Sequence, residues 1–340
     1  MVLSEKEVYE QSMSAMAQWE ELWRKNAIRN GELFKNNPIS QSDIVHTGAG
    51  RNLVCIANGS SLKKQMKTLK ENINEHTDIA CVDKVAGLLI KEGVKPNFVI
   101  IADASVSYEE WCQPWIEETQ DIILMCNVLA NPKWPENWKG PVIFYVNKDN
   151  IQSEKIFMEL SGVREVIPAS SNVGNTVIVI AVQILGYDKY MLLGYDYCWH
   201  DDEPYYATND SDKRYWMKHL AAIDNTGRLV NTSQNLLFSA KWLTDFHSAV
   251  CREMKLNIVN CSEQGMLIFP QGKLKAELLL CKKRELSPEE KKIIIDKRIK
   301  SIVINSSNGG NETLNKVLQS VNVAEIVVKH IPKEVIQWLN

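Results

Sequence analysis

Asn52-Leu53-Val54-Cys55-Ile56-Ala57-Asn58-Gly59-Ser60-Ser61-Leu62 is the stretch on which the reading of the fold turns. Residues 52–57 form a short apolar run. Asn58-Gly59-Ser60-Ser61 interrupts it, and an amphipathic run from Lys63 to Asn72 follows. The order is strand, turn, helix. Such a turn brings backbone N–H groups and small hydroxyls to a helix N-terminus, where a phosphate is readily held. Gly and Ser behind a strand also form routine turns, so the reading depends on whether the rest of the chain repeats the pattern.

It does. Apolar runs predict strands at 52–57, 78–82, 97–102, 121–127, 141–146 and 188–194. Helical spacing predicts helices at 62–75, 84–93, 107–119, 151–160 and 173–186. Near-continuous apolar strands alternating with helices predict a Rossmann-like, mostly parallel sheet covered by helices on both faces. Ligands of such sheets bind beyond the carboxyl ends of the strands, where strand order reverses. Residues 4–35 read as a helix resting on the main body or on a partner subunit, which is compatible with a homo-oligomer. The stretch 199–233 is polar and aromatic with little periodicity and reads as a lid or binding loop. A helix at 235–256 and a strand at 257–261 follow. Beyond residue 285 the pattern is a small α/β tail. The expected organisation is a helical extension over 1–45, a nucleotide-binding domain over 46–284 and a C-terminal region over 285–340.

The chain has 340 residues, 45% of them apolar, with a net charge of −3. These values predict a globular protein and give no basic field for nucleic acid. Residues 1–37 contain no signal-peptide core. The longest apolar run, near Val177–Leu185, is too short for a transmembrane segment and contains Gln183. The eight cysteines include no C-x-x-C pair, and several lie in apolar runs. They read as reduced core residues of a cytoplasmic protein.

Four segments could carry chemistry. Asn58, Gly59, Ser60 and Ser61 could contact a nucleotide phosphate or ribose. Asp83 and Asp103 each stand at the end of a predicted strand and could hold ribose hydroxyls, a base or a metal; Asp also serves as an ordinary helix N-cap. Ser170, Ser171, Asn172, Gly174 and Asn175 open the most apolar helix, where a dipole end favours an anion. Gly194-Tyr195-Asp196-Tyr197-Cys198-Trp199-His200 ends a strand, and Tyr205 and Tyr206 follow closely. Tyrosine hydroxyls can stabilise a leaving phosphate, and His200 or His219 could act as a general base. No metal site is expected, because His200 with Asp201, Asp202 and Glu203 matches no strong ligand spacing. Walker A, G-x-S-x-G and H-E-x-x-H motifs are absent.

In order and spacing, residues 45–270 resemble a superfamily. It comprises the motility-associated factor (Maf) flagellin glycosyltransferases, bacterial sialyltransferases and the MptE-like 6-hydroxymethylpterin diphosphokinases. Asn58-Gly59-Ser60-Ser61-Leu62 is similar to its G-x-G-P-S-L turn, with Ser60 in place of Pro. Asp83, Gly93-Val94-Lys95-Pro96-Asn97 and Asp103 resemble its strand–D–helix–G-[IV]-x-P-[DN]–strand–D segment. Gly194-Tyr195-Asp196 resembles its G-x-D. Asn260-Cys261-Ser262-Glu263-Gln264-Gly265 is similar to a closing N-x-[ST]-E-G-G, with Gln264 in place of Gly.

The resemblance implies a Rossmann-like nucleotide-binding fold and two candidate reactions. One is transfer of a nonulosonic acid from a CMP-activated donor to a hydroxyl of a glycan or protein acceptor, with no cofactor required. Asn58, Ser60, Ser61, Asp83, Asp103 and 170–175 would then hold the nucleotide. Tyr197, Tyr205 and Tyr206 would face the leaving phosphate, and His219, or else His200, would be the base. The other is pyrophosphate transfer from ATP, which requires Mg2+ and normally an acidic pair. Asp103 is followed by Ala104-Ser105-Val106, and no second acid stands at the paired position, which favours glycosyl transfer. A non-catalytic nucleotide-binding protein is the remaining alternative.

Overall fold

A computed structural model describes residues 5–36, 39–148, 153–201, 203–208, 220–254 and 256–294. The chain divides into two compact units, Met1–Leu286 and Ser287–Asn340. The first holds an eight-stranded sheet of β1 (Asn52–Ile56), β2 (Thr77–Val82), β3 (Phe98–Ile101), β4 (Ile123–Asn127), β5 (Val142–Lys148), β6 (Val166–Pro168), β7 (Lys189–Leu193) and β10 (Asn257–Asn260). Strand order is β10-β7-β1-β2-β3-β4-β5-β6, and every pair in it is parallel. The fold is therefore the Rossmann-like α/β sheet that the sequence predicts. Every residue of β1, β3 and β7 is buried. Side chains alternate across a strand, so burial of all of them means that both faces are covered.

The chain runs outward from β1 through β2 to β6, then returns to place β7 on the other side of β1. That reversal opens a crevice at the carboxyl ends of β1 and β7. The register makes those ends flush: Ile56 pairs with Cys81 on one side and Leu193 on the other. Asn58, Asp83 and Gly194 thus follow one row of the sheet by only one or two residues.

The helices are α1 (Glu5–Asn36), α2 (Ser61–Asn72), α3 (Asp83–Lys91), α4 (Tyr108–Trp111), α5 (Lys133–Asn137), α6 (Glu154–Ser161), α7 (Val173–Ile180), α8 (Gln234–Met254) and α9 (Leu274–Leu279). The polar α1 docks through side-chain amides. The buried Asn30 donates to the Val128 and Ala130 carbonyls at 2.8 and 2.9 Å, and Asn26 donates to Leu129 at 2.9 Å. The predicted helix over 107–119 is instead α4 followed by a 3-10 segment, with Pro114 at its start. The helix predicted over 173–186 ends in a π turn, Ala181–Leu185, closed by left-handed Gly186.

The stretch 199–233 is not wholly irregular. It contains an antiparallel hairpin, β8 (Leu220–Ile223) and β9 (Leu229–Thr232). No helix among the described residues is long and apolar enough to cross a membrane. In the second unit Ser287 and Glu290 form a reciprocal capping box at 2.8 and 3.2 Å. The part of the predicted α/β tail beyond residue 294 lies outside the described residues.

Candidate active site

The carboxyl ends of the sheet enclose a hollow of about 300 Å³. Four sequence-distant corners line it: Ala57–Gly59 after β1, Val82–Lys84 and Asp103 after β2 and β3, Asn172–Gly174 at the start of α7, and Gly194–Cys198 after β7. Tyr205, Tyr206, Val106 and Leu236 complete the wall.

Close packing between β1 and β7 shapes this hollow. Gly59 N–H donates to the Gly194 carbonyl at 2.9 Å. A Cβ on Gly59 would stand 2.6 Å from both the Asp196 carboxyl carbon and the Gly194 oxygen. Gly194 has φ +70°, and a Cβ there would lie 2.3 Å from the Ala57 oxygen. Only glycine permits this approach.

Asp83 and Asp103 come from adjacent strand ends. Asp83 Oδ1 accepts the Lys84 N–H at 2.7 Å, whereas Oδ2 is buried with no hydrogen-bond partner. Burial pushes the Asp83 carboxyl up to about 7, the Lys84 N–H partly offsets this, and the charge of Asp103 adds to it. Asp103 is exposed and accepts from Ser105 N–H and Oγ at 2.7 and 2.8 Å. Asp83 and Asp103, twenty positions apart in sequence, thus border the same hollow from neighbouring strand ends.

The α2 turn differs from the expectation. Ser61 N–H and Oγ both donate to Asp196, at 2.9 and 2.5 Å. Ser60 Oγ donates to Glu203 at 2.9 Å. Both serines are buried, and neither lines the hollow. The anion at this helix N-terminus is the Asp196 carboxylate, so a ligand phosphate has no place there. Asp196 itself is buried, and burial raises its carboxyl above the usual range despite the Ser61 and Gln264 hydrogen bonds. Asn58 borders the hollow but uses its side chain on the following loop: Nδ2 donates to Thr208 at 3.1 Å and Oδ1 accepts Thr208 N–H at 3.2 Å.

At α7, Asn172 caps the helix by accepting Asn175 N–H at 2.8 Å. Asn172 and Gly174 line the hollow, whereas Ser170, Ser171 and Asn175 do not. Ser170 bonds Thr176, and Asn175 donates to Ser171 and to the Ser239 carbonyl. Tyr197 lines the hollow, but its hydroxyl donates to Asn175 Oδ1 at 2.6 Å. Tyr205 and Tyr206 line it as a T-shaped pair, 4.3 Å between centroids.

His200 is not in the hollow. Arg228 donates to its Nε2 at 2.9 Å, and Asp224 lies 3.8 Å away. The Arg228 guanidinium thus engages the His200 ring on the hairpin side, away from the residues that line the hollow. His219 lies outside the described residues. Lys84 escaped the sequence reading, since one lysine beside an aspartate at a helix start reads as a solvated charge. Its Nζ lies 5.3 Å from the Trp111 ring centre and 5.9 Å from that of Tyr206. Among the described residues no group of three or more His, Cys, Asp and Glu could hold a metal.

The family described as 6-hydroxymethylpterin diphosphokinase MptE-like matches residues 25–202, more than half of the chain. The chain belongs to the MptE-like family. The matched region contains every strand of the sheet except β10, and the hollow of this MptE-like chain lies almost wholly within it. The Maf glycosyltransferase from Magnetospirillum magneticum AMB-1 is a structural neighbour, with a TM-score of 0.56 and 15% identity. The alignment covers 86% of this chain and 45% of that one, so the chain spans about half of that protein's length. At that identity the likeness concerns the fold. No curated protein matches the chain.

Proposed function

We propose that this MptE-like chain is a glycosyltransferase that draws a sugar from a nucleotide-activated, CMP-linked donor. The observation that carries the proposal is the composition of the hollow at the β1/β7 reversal. Asp83 and Asp103 offer carboxylates to sugar hydroxyls or base amines. Lys84, Tyr205, Tyr206 and the start of α7 border the same space. The fold shared with the Maf glycosyltransferase supports the choice of reaction class.

In this reading the acceptor hydroxyl attacks the anomeric carbon, the bond from that carbon to the phosphate oxygen breaks, and the nucleotide departs with the electron pair. The acceptor proton passes to a base, for which His219 is our proposal. The segment carrying Tyr205 and Tyr206 covers the donor and limits its loss to water. The acceptor is a glycan or a protein hydroxyl.

Pyrophosphate transfer is the second reading, favoured by the Asp83–Asp103 pair. Asp83 and Asp103 would hold magnesium, which would neutralise charge on the ATP phosphates when bound. The two readings separate in one assay. Release of CMP from a CMP-activated nonulosonic acid, without added magnesium, supports glycosyl transfer. Diphosphorylation of a hydroxymethylpterin by ATP and magnesium, with no release of CMP, overturns it.

A further inference from the structure

We infer that the ligand phosphate is seated by Lys84 together with the N-terminus of α7, and not by the serine turn of α2. This rests on the nucleotide reading above and moves the phosphate within it. The charged residues lining the hollow are Asp83, Asp103, Asp196 and Lys84. Among the described residues, Lys84 is therefore the only cation in the wall. A phosphate entering a space bordered by three carboxylates needs a counter-charge, and one is present.

Aromatic rings on two elements help to hold the lysine in place. Trp111 on α4 and Tyr206 on the covering segment both present ring faces to its ammonium. A flexible four-carbon side chain gains a defined position from this, so less ordering cost falls on ligand binding. The α2 terminus is closed to anions, because Asp196 already accepts from Ser61. The α7 terminus is open in the relevant sense. Asn172 caps Asn175, and the first intrahelical bond runs from Thr176 N–H to the Asn172 carbonyl at 3.0 Å. Val173 and Gly174 precede that bond, so their N–H groups have no partner within the helix, and both residues line the hollow.

An independent sign of a ligand is Asp83. It borders the same space, is only 5% exposed, and keeps Oδ2 buried without a partner. A buried carboxylate oxygen is rarely left so unless a ligand group completes it. Asp83 and Lys84 are consecutive residues at the start of α3. One turn of chain thus offers a carboxylate for a ligand hydroxyl or amine and a cation for its phosphate, the two chemistries of a nucleoside monophosphate moiety.

The test compares CMP with cytidine by calorimetry or ligand-observed NMR on the full chain, as wild type, Lys84→Gln and Lys84→Arg. The seat predicts that wild type prefers CMP to cytidine. Lys84→Gln loses about 10- to 100-fold of CMP affinity, the size of a charge-assisted contact, while cytidine binding is kept. Lys84→Arg recovers part of the loss. Retained cytidine affinity also reports that the variant is folded. Lys84→Gln binding CMP as wild type does, or losing CMP and cytidine alike while its circular dichroism spectrum and unfolding midpoint match wild type, would overturn the seat and leave the nucleotide reading standing. Wild type binding neither compound overturns both.

Discussion

Asp196, just beyond β7, accepts hydrogen bonds from both the backbone N–H and the hydroxyl of Ser61, the first residue of α2, at 2.9 and 2.5 Å. A carboxylate 135 positions away in sequence therefore caps this helix, and the β1 and β7 loops are joined beneath the hollow. Removing the carboxylate strands buried donors on Ser61 and Gln264. Asp196→Ala should lower the unfolding free energy by about 3 kcal/mol and Ser61→Ala by about 1–2 kcal/mol. Urea denaturation of both variants and the double variant should give a coupling of at least about 1 kcal/mol. Additive losses would mean that the two residues act separately.

That bond also explains what was legible in the sequence and what was not. Strands β1 to β4 and β7 are readable because both faces are covered, which leaves continuous apolar runs. The short edge strand β6 has exposed ends at Val166 and Pro168 and carries no such run. The hairpin β8–β9 hides because its cross-strand pair Ile223 and Leu229 is exposed, 69% and 75%, which reverses the usual pattern. Asp83 and Asp103 are legible as strand-end residues, since strand–Asp endings mark the carboxyl edge, and both border the hollow. The inward turn of Ser60 and Ser61 was not legible, because nothing local announces that Asp196 occupies the seat.

Gly59 offers a second test. Its missing Cβ is what lets the Asp196 carboxyl and the Gly194 carbonyl approach. The Gly194 oxygen is backbone, so Gly59→Ala must shift the main chain there. A loss of about 1–3 kcal/mol is expected in thermal or urea unfolding, along with weaker nucleotide binding. An unchanged melting temperature would show that the loops separate easily.

Asp83 sets a pH dependence. Its folded-state value of about 7 lies above the ordinary carboxylate range, chiefly through burial. Between about pH 4 and about pH 7 the native state holds a proton that the unfolded chain releases, so stability falls as pH rises and then levels off. The penalty at about pH 8 is at most roughly 4 kcal/mol. Asp83→Asn removes the charge and keeps an acceptor for Lys84 N–H. The variant should therefore be more stable than wild type at about pH 8, with the gap closing toward about pH 4. A constant gap across urea midpoints would argue against a buried, titrating Asp83.

Lys64 fastens the covering segment to α2. Its ammonium donates to Glu203 at 2.6 Å and to Gln264 at 2.7 Å. The lysine is half exposed, so Lys64→Ala should change global stability by less than about 1 kcal/mol. Hydrogen exchange over 203–208 should nonetheless quicken, because opening this segment no longer breaks the Lys64–Glu203 pair. Equal exchange in variant and wild type would show that the remaining contacts of the segment, among them Ser60–Glu203 and Asn58–Thr208, hold it without Lys64.

The most direct measurement is a crystal structure of the chain grown with CMP. The nucleotide should lie at the carboxyl ends of β1 and β7, with its hydroxyls or base on Asp83 and Asp103 and its phosphate beside Lys84 and Gly174. Density for the nucleotide elsewhere, or a vacant hollow at saturating CMP, would contradict the nucleotide site proposed here.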